Sequence, residues 1–288
     1  KWIMKKIKYQ EDAVKELVEK TKNLLVANID LPTLIFKAPT GSGKTYMCSE
    51  FIKTVTNNPN FENNFSFIWV APNKLEDQSY KSLKRYFAHS NDIKCSKKED
   101  VSIDKHIKEN EILFINWQSI NQEQNILRRA SEHDPNLEQI ITNTKKYNRK
   151  IILFIDEIHA NAGTNILKDI INKVIAPDVI LGVSATPSRY LPASDRVEVP
   201  IYKVREQGMI KEFATINPGY KNEYNNKVLT SGLGGKSDNK VIEAALKKRD
   251  QIKKFYSKIN KKINPLIIIQ IPNSSSKETT NKQQIENE

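Results

Sequence analysis

Eight consecutive residues, Ala38-Pro-Thr-Gly-Ser-Gly-Lys-Thr45, place two glycines, a lysine and a hydroxyl in the order that phosphate binding requires. Gly41 and Gly43 permit backbone conformations that turn successive N–H groups toward one anion. Lys44 adds a cation for the β- and γ-phosphates of a nucleotide, and Thr45 offers a hydroxyl to Mg²⁺. A helix opening near Lys44 contributes its positive N-terminal end. Thr40, Gly41, Ser42, Gly43, Lys44 and Thr45 are therefore the candidate nucleotide-binding residues, and Lys44 is also a candidate catalytic group. Ala38 stands where the strict pattern has its first glycine. Alone, the segment implies ATP or GTP and nothing narrower.

Two further groups gain meaning from that loop. The apolar run Ile151–Ile155 ends in Asp156-Glu157. Asp156 at a strand tip can hold Mg²⁺ through water, and Glu157 can polarise an attacking water. Apolar strands ending in two acids are common, so the loop upstream is what makes this pair a candidate half-site. His159 completes Asp-Glu-Ile-His, although in isolation it reads as an exposed residue at a helix start. The next apolar run closes on Ser184-Ala185-Thr186-Pro187. Its two hydroxyls could relay contact between the acids and another domain, and equally they suit an ordinary turn.

The elements that must position these groups are legible as short runs. Leu34–Lys37, Phe67–Val70, Ile112–Ile115, Ile151–Ile155 and Val179–Val183 are rich in Ile, Val and Phe, and each stops at a turn or a polar residue. Runs of this kind suit strands buried on both faces. Helical patterns lie around them at Gln10–Ala27, Thr45–Thr56, Lys74–Phe87 and Thr164–Val174. The first places Ala13, Val14, Leu17, Val18, Leu24 and Leu25 on one broad face. Strand–helix alternation predicts an α/β fold with a mostly parallel sheet flanked by helices. Such sheets bind ligands beyond the carboxyl ends of their strands, where every polar motif above falls.

The 288 residues suffice for one large domain or two ordinary ones. Lysine and arginine number 46 against 34 acids, a net charge of +12. That balance suits a polyanionic partner, yet Lys and Asn abound throughout, so charge alone does not separate such a partner from a merely Lys-rich surface. Cys48 and Cys95 have neither metal nor disulfide spacing, which fits a reducing cytoplasm. The apolar runs are far too short to span a bilayer, and no signal-peptide pattern opens the chain, so no membrane is expected. The chain does not begin with Met, which suits processing or a fragment.

The character changes after about Pro218. Asn222–Lys240 is polar and Gly-rich and reads as a linker. Val241–Lys262 reads as a basic helix, and Pro265–Ile271 as an apolar strand. One helix cannot cover both faces of one strand, so this piece either docks on the first domain or opens a second one. The expected division is a first domain over 1–220, a flexible linker over 221–240 and the beginning of a second, truncated domain over 241–288.

In their order, the phosphate loop, Asp-Glu-Ile-His and Ser-Ala-Thr resemble the superfamily-two DEAD/DEAH-box-like helicases and translocases. The likeness extends to other segments. Phe67–Leu75 is similar to the strand-end motif Ia, Phe114–Ser119 to the next strand-end element, and Tyr9-Gln10 to the adenine-contacting glutamine. Val204–Glu212, Ala244–Arg249 and Asn264–Asn273 are similar to the restriction (Res) subunits of type III restriction enzymes, so the resemblance covers nearly the whole chain.

The resemblance implies a RecA-like P-loop NTPase domain followed by the start of a second RecA-like domain. It implies an ATP-dependent DNA helicase or translocase motor with ATP and Mg²⁺ as cofactors. Gln10 would touch adenine, and Thr40–Thr45 would hold the phosphates. Thr45 and Asp156 would bind Mg²⁺, and Glu157, beside His159, would position water. Ser184 and Thr186 would couple hydrolysis to motion. Asn73, Lys74 and Gln118 would meet a nucleic-acid backbone, through contacts insensitive to base sequence. DNA is the implied partner, together with a methyltransferase (modification) subunit. The family's late motifs, with their arginine finger, and its nuclease domain have no counterpart here; Arg249 is not in a motif-like setting. The rival readings are an RNA helicase of the Asp-Glu-x-His kind and a nucleotide-dependent switch that never moves along nucleic acid.

Overall fold

The computed structural model describes residues 7–27, 29–59, 61, 64–72, 75–116, 137–157, 170–187, 193–210 and 236–267. The chain forms two compact units, Lys1–Glu212 and Phe213–Glu288.

Among its described residues, the first unit is built in the order α1 (Lys8–Val26), β1 (Thr33–Lys37), α2 (Lys44–Asn57), β2 (Asn64–Ala71), α3 (Leu75–Tyr86), β3 (Lys94–Lys97), α4 (Lys98–Asp104), β4 (Glu111–Asn116), α5 (Leu137–Lys146), β5 (Arg149–Asp156), a π-helical turn (Ile170–Ile175), β6 (Val179–Ser184), β7 (Asp195–Glu198) and α6 (Ile201–Glu206). The seven strands form one sheet in the order β3-β4-β2-β5-β6-β1-β7, and every neighbouring pair is parallel. The α/β class read from strand–helix alternation is the class observed.

Side-chain alternation sorts each apolar run onto two faces. Leu34 and Phe36, Phe65, Phe67 and Trp69, and Ile152 and Phe154 point into one core, which α1, α2 and α3 cover. Ile35, Ile68 and Val70, and Ile151, Leu153 and Ile155 point into the other, which α4, α5 and the π-helical turn cover. Covering both faces is what makes the runs continuous instead of alternating. The first core holds the aromatic residues. The Phe154 ring stacks on Trp69 at 4.9 Å and 14° and meets Phe51 edge-on at 5.9 Å. The second core is built chiefly from Ile, Leu and Val. Of the face expected of the first helix, Ala13, Val14, Leu17 and Leu24 are buried and Val18 and Leu25 half-buried, and Gln10 and Thr21 join the buried side.

Some elements depart from the sequence pattern. β3 and β7 were not expected, because each is four residues long and buries only one, Ser96 and Val197. They are the two edges of the sheet, and short charged strands discourage pairing with another chain. α5 was not assigned either, although Leu137, Ile140, Ile141 and Thr144 recur at helical spacing and are buried. Of the helix expected over Thr164–Val174, residues 164–169 lie outside the described residues. Ile170–Ile175 is a π-helical turn, closed by Ala176 N–H donating five residues back to Ile171 O at 2.7 Å.

In the second unit, helix α7 runs over Lys236–Lys258, so it starts five residues before the expected Val241 and shortens the expected linker. Residues 265–267 of the expected strand Pro265–Ile271 adopt no regular structure, and 268–271 lie outside the described residues, as do 221–235 and 272–288. Arg249 is held locally: Nε donates to Pro265 O at 3.0 Å and Nη2 to Asn264 Oδ1 at 3.1 Å. No described helix is long and apolar enough to cross a membrane.

The aromatic core sets a stability test. Phe154 is fully buried among Trp69, Phe51 and Phe67. Phe154→Ala should cost about 3–5 kcal/mol in urea unfolding, whereas Val26→Ala, at an 82% exposed position, should stay within about 0.5 kcal/mol. Equal costs would contradict this placement of the core.

Candidate functional site

Parallel strands end on one side of the sheet, and three neighbouring tips carry the polar motifs. β6 lies between β1 and β5. Lys37 pairs with Ser184 and Asp156 with Val183. The loop after β1 is tied to the tip of β6 by the Ala38 N–H, which donates to Ser184 O at 3.1 Å. The phosphate loop is therefore brought together with the acidic pair and the Ser-Ala-Thr segment, both of which lie more than a hundred residues further along the sequence.

Within the loop, Gly41 has φ +82° and Gly43 φ +87°, a region that L side chains enter at a cost. Gly43 is the residue from which α2 departs, and its carbonyl accepts from Met47 N–H at 2.9 Å. Space is as limiting as torsion. A Cβ on Gly43 would lie 2.6 Å from Gln10 Nε2, and one on Gly41 would lie 3.0 Å from Ile210 Cγ2. Ser42 is buried, and its Oγ has no hydrogen-bond partner among the described residues. Thr40 and Gly41 are exposed, and Lys44 and Thr45 are half-buried at the start of α2.

The first turn of α1 clasps this loop. Tyr9 OH donates to Ser42 O at 2.8 Å and Gln10 Nε2 donates to the same carbonyl at 2.9 Å. Both side chains are 5% exposed. Burial pushes the Tyr9 phenol above its ordinary range, so it remains a donor. Gln10, expected as an adenine contact, is thus placed against the loop backbone. Tyr9 was singled out in the sequence only as its neighbour.

On β5, Asp156 accepts from Ser79 Oγ of α3 at 3.3 Å. Burial pushes the Asp156 carboxyl above the ordinary carboxylate range and the charge of Glu157 adds to this, while Ser79, the Glu157 N–H and Lys44 pull it down. Glu157 has φ +52°, a strained conformation for a residue with a side chain, found where a tip must re-aim its side chain. Ser184 is fully buried and its Oγ accepts from Thr186 N–H at 3.0 Å. Both cysteines are free; burial raises the Cys48 thiol strongly and carries that of Cys95 to about 12, so neither offers a thiolate.

The structure thus gathers Gln10, Thr40–Thr45, Asp156, Glu157, Ser184 and Thr186 at the carboxyl ends of the strands. Asn73, Lys74, Gln118 and His159 lie outside the described residues. Sequence reasoning missed Ser79, and treated Ile210 only as part of a family-like segment. A signal for Ser79 existed: a polar residue occupies the first position of an i, i+4, i+8 series whose other members, Leu83 and Phe87, are buried.

A Gly-rich turn between a parallel strand and a helix, with an acid on a nearby strand tip, defines a P-loop α/β domain of the RecA-like class. The family described as type III restriction enzyme, res subunit, matches residues 3–189. The chain belongs to that family. No curated protein matches it. Among solved structures it is similar to a nuclease-deletion mutant of the Type ISP restriction-modification enzyme LlaGI in complex with a DNA substrate mimic, at TM-score 0.46 and 12% identity, covering 96% of this chain and 26% of that one. It is similar to the Sulfolobus solfataricus SWI2/SNF2 ATPase core in complex with dsDNA, at TM-score 0.40 and 15% identity, covering 62% and 31%. It is also similar to the UvsW helicase from Bacteriophage T4, at TM-score 0.39 and 18% identity, covering 66% and 59%. The chain spans less than two thirds of each of these proteins.

The contact between Gly43 and Gln10 generates a double-mutant test. Gly43→Ala should lose about 1–2 kcal/mol through its φ alone, with a further loss from displacing Gln10. Adding Gln10→Ala removes that second part, so the double variant should be more stable than the sum of the single changes predicts. Strict additivity in chemical denaturation would rule out the contact.

Proposed function

We propose that this chain carries the first motor domain of an ATP-dependent DNA helicase or translocase, the Res subunit of a type III restriction endonuclease. The observation that carries the reading is the adjacency of three strand tips, bearing the phosphate loop, Asp156-Glu157 and Ser184-Ala-Thr186. One edge then holds a phosphate cradle, a metal-binding acid, a water-polarising acid and a pair of hydroxyls.

The residues present fit a nucleoside triphosphate with Mg²⁺. The loop holds two glycines at positive φ and a buried Ser42 hydroxyl lacking a partner among the described residues, as an anion cradle requires. Thr40–Thr45 hold the phosphates, with Lys44 as their cation. Thr45 and Asp156 would hold Mg²⁺, which would supply charge neutralisation for the nucleotide's phosphates. Burial and the neighbouring Glu157 disfavour a bare Asp156 carboxylate, and a divalent cation reverses that balance. Glu157 orients the attacking water, with His159 beside it. Gln10 spans loop and base: its amide already holds Ser42 O, and adenine is its second partner. Ser184 ends the strand between cradle and acids and Thr186 follows it, the place from which a change in either reaches the other.

Asn73, Lys74 and Gln118 are the proposed contacts to the DNA backbone; the +12 net charge supports a polyanionic partner. A modification subunit supplies sequence recognition, and the cytoplasm is the proposed location. Residues 1–220 form the first motor domain, 221–240 link it onward, and 241–288 open a second RecA-like domain. An arginine finger is worth roughly 10³–10⁵ in rate, so these residues by themselves should bind ATP and hydrolyse it slowly.

Two measurements test this. Lys44→Ala should abolish ATP binding in equilibrium dialysis; retained affinity would count against the cradle. ATP hydrolysis by the full-length protein should be stimulated more by duplex DNA than by single-stranded RNA. The opposite order would favour an RNA helicase, and no nucleic-acid binding even at low salt would favour a nucleotide-dependent switch.

A further inference from the structure

α3 is fixed to the sheet on two sides. The Tyr80 ring meets Phe114 of β4 edge-on at 5.3 Å, and Asp77 pairs with Lys97 of β3 at 2.5 Å. Its inner face buries Leu83 completely, and Phe87, one residue beyond its end, is nearly as buried. One helical repeat earlier on the same face stands Ser79, 7% exposed. An apolar side chain would satisfy packing there at lower cost, because a buried hydroxyl needs a partner. The partner of Ser79 is Asp156, whose Oδ2 accepts its hydroxyl. At 3.3 Å the bond is long for O–H···O, and functional hydrogen bonds are often long in the ligand-free state and tighten when the site fills.

A carboxylate that accepts a hydrogen bond on one oxygen has its plane restrained and its other oxygen directed, which is how outer residues orient a metal ligand. The helix that supplies this hydroxyl begins at Leu75, immediately after Asn73 and Lys74 in the chain. Ser79 lies about one helical turn in. A displacement of the start of α3 therefore reaches Asp156 through a single hydrogen bond.

We propose that Ser79 is a positioning residue, whose hydroxyl orients the Asp156 carboxylate for Mg²⁺ and links the metal site to the helix that follows Lys74. This rests on the reading of Asp156 as a metal-binding acid. It assigns α3 a role distinct from that of the phosphate loop: the loop sets affinity for the nucleotide, and Ser79 sets the affinity of the bound nucleotide for its cation.

The test is a Mg²⁺ titration of fluorescent ATP (N-methylanthraniloyl) binding to the full chain, with Mn²⁺ binding followed by electron paramagnetic resonance. In Ser79→Ala the half-saturating Mg²⁺ concentration should rise about tenfold, while Ser79→Thr, which keeps the hydroxyl, should stay within about twofold of the unsubstituted chain. Nucleotide binding in excess chelator should be the same in all three. If Ser79→Ala unfolds, Ser79→Cys, nearly isosteric with a weaker donor, takes its place. An unchanged Mg²⁺ dependence in Ser79→Ala, no recovery in Ser79→Thr, or an equal loss of binding in chelator would each overturn the role of Ser79 while leaving Asp156 as a ligand. A second arm adds duplex DNA, which should lower the half-saturating Mg²⁺ concentration of the unsubstituted chain and not that of Ser79→Ala. The same shift in both would overturn the link to α3. If the unsubstituted chain binds nucleotide with no Mg²⁺ dependence, the reading of Asp156 itself fails, and this one with it.

Discussion

The parallel direction of every strand in the sheet is the constraint on which the rest depends. Parallel strands need a crossover between them, and the crossovers place helices on both faces. Both faces then require apolar side chains, and all strand ends that carry polar residues gather at one edge. The order β5-β6-β1 does the remainder: it sets the acidic tip and the phosphate loop on either side of Ser184. The Ala38 N–H bond to Ser184 O fastens two of these tips to each other.

The phosphate loop itself is held from outside. Its glycines hold conformations open to almost no other residue, and the spaces where their side chains would be are taken by Gln10 and Ile210. Two donors from the first turn of α1 converge on the carbonyl of Ser42. A buried carbonyl with two donors resists rotation, so the loop keeps its shape before any anion arrives. Preorganisation of this kind also explains a polar Tyr9-Gln10 pair in a helix start otherwise packed on the core.

The acidic tip shows the opposite condition. Asp156 is half-buried beside Glu157, and its carboxyl sits above its ordinary range. Glu157 adds a backbone in the left-handed region. Two nearby acids and a strained tip are unfavourable for folding alone, and such costs collect at sites built for a ligand. Ser79 offsets part of this from α3, a helix that packing has already fixed on Phe114 and Lys97.

Much of this molecule was legible in the sequence. Gly41 and Gly43 declare a tight turn from strand to helix by type and spacing, and the runs around Phe36, Trp69, Leu113, Phe154 and Leu181 declare strands buried on both sides. Local pattern suffices there because phosphate-loop geometry and strand burial act over a few residues. The edge strands Lys94–Lys97 and Asp195–Glu198 escaped because an edge buries too little to leave a pattern. Helix α5 carries its pattern in Leu137, Ile140 and Ile141, at the spacing that a helix buried on one face requires. Only the tertiary structure decided that Ser79 meets Asp156, 77 positions away, and that Gln10 and Ile210 close on the two glycines. Such contacts are set by strand order and helix packing, which join residues that no local period relates.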